Sequence, residues 1–198
     1  MIDTSKDKLR VPEAGKHDGV TPSKYKWQDH LVADLARFYS EESDQPFLAA
    51  IGKHDDFDLQ SVSGEIIIEV KCETSSIRTN NVALEYWNTD FDCASGFLST
   101  KAGIWLHIAL QKEGFIGYEI EIDKLRRLAI ESGVVKSNGR NSLCKIVSLD
   151  NLRPIARRSF DLTKIITETR KGELYPNPIT LHELNITHDG EQEVGSHG

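Results

Sequence analysis

The chain has 198 residues, 38% of them hydrophobic and 28% charged, which suits one medium soluble domain with a sizeable core. No apolar run approaches the roughly 18 residues that a membrane crossing needs, and the opening MIDTSKDKLRVPEAGK lacks the apolar segment of a signal peptide. The expectation is a cytoplasmic protein with no membrane partner. Its three cysteines, Cys72, Cys93 and Cys144, are widely spaced, with no CxxC and no Cys/His cluster, and support neither a disulfide framework nor a zinc site.

Residues 1–22 are polar, carry two prolines and two glycines, and read as a flexible arm ahead of a single domain over 23–181. Ser23 suits the N-cap of a helix reaching about Tyr39, with Trp27, Leu31, Leu35 and Phe38 at helical spacing on one face. Short strands follow: PFLAAIG (46–52), FDL (57–59) continuing it or opening the next, a turn at Ser63-Gly64, then an isoleucine strand over 65–72. NVALEYW (81–87) alternates as a strand. Ser99-Thr100 reads as the cap of a short helix through about Gly103. IWLHIAL (104–110) and GFIGYEIEI (114–122) are β-rich, DKLRRLAIES (123–132) is an amphipathic helix, 136–142 a loop and LCKIVSL (143–149) a further strand. The pattern over 150–170 is ambiguous. The stretch 182–198 is polar and acidic and reads as a disordered tail. A helix leading into a mostly β centre gives one α/β domain.

Charge is uneven along the chain. Residues 1–123 hold 12 Lys and Arg against 22 Asp and Glu, residues 124–171 hold 12 against 4, and residues 172–198 hold none against 5, within a net charge of −7. The acidic part is suited to cations. The basic part, with Arg153, Arg157 and Arg158, is suited to phosphates or forms a solvated face.

The stretch GEIIIEVKC (64–72) raises the question of function. An apolar strand ends in Glu69 and Lys71, and charge at the end of a core strand is costly unless something uses it. Alternation puts Glu69 and Lys71 on one face and Ile66, Ile68 and Val70 on the other. Asp58 lies 11 positions before Glu69, at hairpin distance. Two converging carboxylates suit a hard divalent cation such as Mg²⁺, with the Val70 backbone carbonyl as a third oxygen. Lys71 beside them suits phosphoryl chemistry. A surface ion pair without metal is the plain alternative.

Asp58 followed by Glu69-Val70-Lys71 resembles the signature of the PD-(D/E)XK nuclease superfamily, with Phe57 where a proline often precedes the Asp. TNNVALEYWN (79–88) is similar to a Thr-Gly-Asn-aliphatic-aromatic-Ile-Glu block of phage-type members, with Asn80 in place of the glycine. SGFLSTKAGIWLH (95–107) is similar to their Ser-Gly-Ile-x-Thr-Thr block, with Gly103 where an acid is frequent. The likeness covers residues 27–110.

The resemblance implies a central mixed sheet flanked by helices, a restriction-endonuclease-like core, and Mg²⁺-dependent endonucleolytic hydrolysis of DNA giving 5′-phosphates, with Mn²⁺ able to substitute. It implies Asp58 and Glu69 as metal ligands and Lys71 as base or electrostatic stabiliser. Glu85, Ser95, Thr100 and Lys101 would face substrate. Gln28 or Asp29 would take the first-helix position, where Gln28 carries no charge; one metal is therefore expected rather than two. A homodimer would suit two-strand cutting, in the cytoplasm of a bacterial host or a phage-infected cell. The competing readings are a non-catalytic DNA-binding module on the same fold and an acidic mimic of DNA.

Overall fold

The computed structural model describes residues 9–10, 26–50, 57–137 and 141–171, with residues 9–10, 26–28 and 170–171 as backbone only. In chain order the elements are strand β1 (Leu9–Arg10), helix α1 (Lys26–Ser43), strands β2 (Phe47–Ala50), β3 (Leu59–Ser61) and β4 (Ile67–Glu73), helix α2 (Ser76–Thr79), and strands β5 (Asn81–Asn88) and β6 (Cys93–Ala94). A 3-10 turn at Gly96–Leu98 leads to strands β7 (Ile104–Gln111) and β8 (Gly114–Glu121), helix α3 (Ile122–Ser132), and strands β9 (Val134–Ser137) and β10 (Ser142–Ser148). Helix α4 (Leu149–Leu152), a 3-10 turn at Arg153–Ile155, strand β11 (Arg158–Asp161) and helix α5 (Thr163–Lys171) complete it.

The architecture is α/β, as the sequence suggests. A seven-stranded mixed sheet runs in the order β1-β2-β3-β4-β7-β8-β11, with β4 and β7 parallel and the other neighbours antiparallel. A second, antiparallel sheet runs β6-β5-β10-β9. Seven of the eight residues of β7 are buried. Its unbroken apolar run follows from cover on both faces. On one face Leu31, Leu35 and Tyr39 of α1 and Ile166 of α5 pack on Ile68, Val70, Leu106 and Ile108. On the other, Val82 and Leu84 of β5, Val147 of β10 and Leu125 and Ala129 of α3 pack on Trp105, Ala109, Tyr118 and Ile120. The second sheet therefore lies over the face that carries the odd-numbered residues of β4.

The expected helix after Ser99-Thr100 does not form. The turn lies earlier, at Gly96–Leu98, and Thr100–Gly103 is irregular. The Thr100 hydroxyl accepts the Ala102 amide, a local bond that competes with helical pairing. Within the stretch read as an arm, Leu9–Arg10 pair with Ala49 and Ala50 of β2; the rest of that arm, the Ser23 cap and the 182–198 tail lie outside the described residues. No helix among the described residues is long and apolar enough to cross a membrane.

Candidate functional site

Alternation along β4 sends Ile68 and Val70 towards α1 and leaves Glu69, Lys71 and Glu73 facing the second sheet. The parallel register with β7 sets Glu69 against Trp105 and Lys71 against His107. The β3–β4 hairpin pairs Leu59 with Ile68, and the Asp58 amide donates to the Ile68 carbonyl at 3.0 Å. Asp58 is thereby brought beside Glu69, and its Oδ2 accepts the Val70 amide at 2.7 Å. Val70 thus meets Asp58 through its N–H, a contact that sequence spacing does not reveal.

Lys71 Nζ pairs with Glu69 Oε1. The second oxygen, Oε2, accepts the Thr100 hydroxyl at 3.4 Å. The Glu69 side chain is 12% exposed. Burial, and then the Asp58 charge, push its carboxyl above the ordinary glutamate range, against the pull of Lys71 and Thr100. Burial alone would pull the Lys71 ammonium down; Glu69, Asp58 and Glu85 outweigh it and hold it up, so Lys71 is charged.

The site opens into a cavity of about 840 Å³ between the two sheets, within the range of small-molecule pockets. Glu69, Lys71, Trp105 and His107 line it from the first sheet. Glu85, Asn88 and Ser95 line it from the second sheet's side, with Thr100 beyond them. Asp58 acts on both Glu69 and Lys71 by its charge but is not part of the lining. The Ser95 hydroxyl is buried without a hydrogen-bond partner among the described residues. Lys101 is exposed and does not contribute to the lining. Asp29 is half-buried on α1 and also lies outside the lining; Gln28 is described as backbone only, and His54, Asp55 and Asp56 lie outside the described residues. Among the described residues no group of three His, Cys, Asp or Glu side chains converges as a metal cage.

The Ser-Gly pair has a specific local cause. Gly96 has φ +52°, and a Cβ there would lie 2.1 Å from the Glu85 carbonyl oxygen. Glycine allows the 95–100 segment to cross β5 at van der Waals contact and reach Glu69. Arg126 of α3 fixes the same segment, donating to the Phe97 carbonyl at 3.1 Å and the Thr100 carbonyl at 3.3 Å. Arg126 was not legible as a site-supporting residue, because its sequence neighbours show only a basic helix face.

The three arginines read as phosphate contacts form ion pairs within the chain while staying partly exposed. Arg157 and Arg158 bind Glu119, which is fully buried on β8 and also accepts the Tyr39 hydroxyl at 2.8 Å. Arg153 binds Asp150 at 3.0 Å and Gln111 at 2.6 Å. No family model and no curated protein matches this chain.

Proposed function

We propose that this chain is a Mg²⁺-dependent endodeoxyribonuclease with the restriction-endonuclease-like core of the PD-(D/E)XK superfamily. The observation that carries the reading is the β3–β4 hairpin, which sets Asp58 on the Val70 amide beside a Glu69–Lys71 ion pair. Two adjacent carboxylates, both oxygen donors and both electrostatically opposed to each other, fit one hard divalent cation completed by water and phosphate oxygens. Among the described residues no third His, Cys, Asp or Glu converges with them. Asp58 and Glu69 would hold the ion, with the Val70 carbonyl as a further oxygen. Mg²⁺ bound there supplies Lewis acidity toward the scissile phosphate.

The remaining roles belong to the chain. Lys71 is held charged, which favours electrostatic stabilisation of the pentavalent phosphorus over proton abstraction. Thr100 orients the second oxygen of Glu69. Ser95 offers an uncommitted hydroxyl to a phosphate oxygen, and Glu85 faces Lys71 from across the cavity. Lys101 would meet the DNA backbone outside the lining. A non-catalytic DNA-binding module on the same fold is the second reading.

The test is incubation of the protein with supercoiled plasmid and a branched DNA, in Mg²⁺, Mn²⁺ or EDTA, beside Glu69→Ala. Cutting that needs metal and Glu69 supports the enzyme. DNA binding with no cutting in either metal, and no heat of Mg²⁺ binding by calorimetry, supports the module instead.

A further inference from the structure

Behind Lys71 a line of contacts through buried Trp105 and His107 joins the two sheets, and the chemistry proposed above does not use it. Lys71 Nζ lies 5.8 Å from the centroid of the Trp105 ring. Trp105 is 1% exposed, as is His107 two residues on. The indole Nε1–H of Trp105 donates to His107 Nδ1 at 3.4 Å. With Nδ1 accepting, the imidazole proton belongs on Nε2, a tautomer assigned from these partners. Nε2 is buried, has no hydrogen-bond partner among the described residues, and faces Glu73 Oε2 at 3.6 Å. Glu73 accepts the Ala83 amide of β5 at 2.8 Å and the Ser75 hydroxyl. The line therefore runs from the second sheet through Glu73, His107 and Trp105 to the ammonium of Lys71.

Each link constrains the next. A lysine stem has four rotatable carbons, and one ion pair with Glu69 fixes only its tip. An aromatic face attracts the ammonium, whereas the ring edge carries positive charge and repels it. An indole free to tilt would turn that edge towards Nζ. Anchoring its N–H on His107 keeps the face presented, and Glu73 keeps the imidazole turned to accept.

We infer that Glu73 and His107 are positioning residues, which fix the Trp105 ring so that its face holds Lys71 against Glu69. The inference rests on the nuclease reading for what Lys71 does to substrate; its claim about where Lys71 is held stands apart from that reading. A histidine that merely filled the core would be replaceable by leucine without disturbing Lys71.

The test reads Lys71 directly. The full chain is treated with a lysine-acylating reagent, and the rate at each lysine is followed by mass spectrometry for wild type, His107→Leu, Glu73→Gln and Trp105→Phe. Release of a cation from an aromatic face predicts about threefold faster modification of Lys71 in all three variants, with Lys101 unchanged. Where the protein cuts DNA, kcat falls about tenfold in Glu73→Gln with KM unchanged, the usual scale for a residue supporting the acting group. Folding of each variant is checked by thermal melting; if His107→Leu does not fold, the isosteric Glu73→Gln decides. Lys71 reactivity at the wild-type level in folded variants overturns the inference. If wild type cuts no DNA, the nuclease reading fails and the acylation rates alone decide the positioning claim.

Discussion

Gly96→Ala isolates the contact that brings the 95–100 segment onto the site. The alanine inherits φ +52°, which costs a non-glycine residue about 1–2 kcal/mol. Its Cβ also meets the Glu85 carbonyl oxygen at 2.1 Å and the carbonyl carbon at 2.8 Å. These are backbone atoms of β5, paired with Cys144 of β10 at Glu85, so they cannot swing away as a side-chain tip would. Forced displacement of this kind costs about 1–3 kcal/mol. The two terms give about 2–5 kcal/mol, which at about 2–4 °C per kcal/mol lowers the melting temperature by about 4 °C or more. Gly103→Ala is the control: no atom lies within 4 Å of its added Cβ, and a surface change of that type stays within about 0.5 kcal/mol. Thermal unfolding followed by circular dichroism compares the two. Because Thr100 shifts with the segment, cutting by Gly96→Ala should fall as well. Equal melting of the two alanine variants would refute the close-approach argument.

Lys71→Ala is expected to slow cutting by about 10²–10³-fold, the loss typical of removing one preorganised electrostatic group, with DNA affinity retained; single-turnover rates and gel shifts check this, and equal loss of binding would make Lys71 a docking residue. Glu119→Gln is expected to cost about 2–3 kcal/mol at pH 7, less than the roughly 3–5 kcal/mol of breaking a fully buried ion pair, because Arg157 and Arg158 are partly exposed. Although burial pushes the Glu119 carboxyl up, Arg158, Tyr39 and Arg157 hold it below its ordinary value. Its stabilisation is therefore full above the ordinary carboxylate pKa of about 4.3 and is lost as pH falls through the depressed value. Denaturant unfolding curves of wild type and variant should converge in acid; a constant gap would contradict this. Glu69, raised by burial and Asp58, should place the acid limb of cutting at subsaturating Mg²⁺ above the ordinary glutamate value. Lys71→Met should move the residual limb higher still, and a limb below pH 4 would refute the assignment.

What the sequence reveals depends on how local the cause is. The β7 run is readable because both its faces are buried, and α3 because Leu125 and Ala129 recur at helical spacing. The Asp58–Glu69 approach is readable because one tight hairpin joins them. The pairing of β5 with β10, which sets Leu84 against Lys145, joins residues about 60 apart and leaves no local pattern. The 150–171 stretch splits into elements of three or four residues before α5, too short for either period to emerge. Glu119 sits in GYEIEI, where alternation gives it no visible difference from exposed Glu121. The roles of Glu73 and His107 depend on contacts from three strands and likewise leave no mark in the sequence.

Two buried glutamates in this fold are held in opposite ways. Glu119 is surrounded by a hydroxyl and two guanidiniums, and its carboxyl is pulled below the ordinary range. That is a satisfied structural acid, and its ionised form stabilises the fold. Glu69 has one ammonium, a long hydroxyl contact and a second carboxylate nearby, and its carboxyl is pushed up instead. Ionising Glu69 therefore costs the folded protein free energy that packing alone gives no reason to retain. A Leu at that position would meet the same sheet without the cost. Under the nuclease reading proposed above, a buried acid raised in this way at the edge of a cavity lined by Lys71 and Ser95 is one that a divalent cation would stabilise. The opposite shifts of Glu119 and Glu69 follow from these different surroundings, and the nuclease reading proposed above gives the raised one a use.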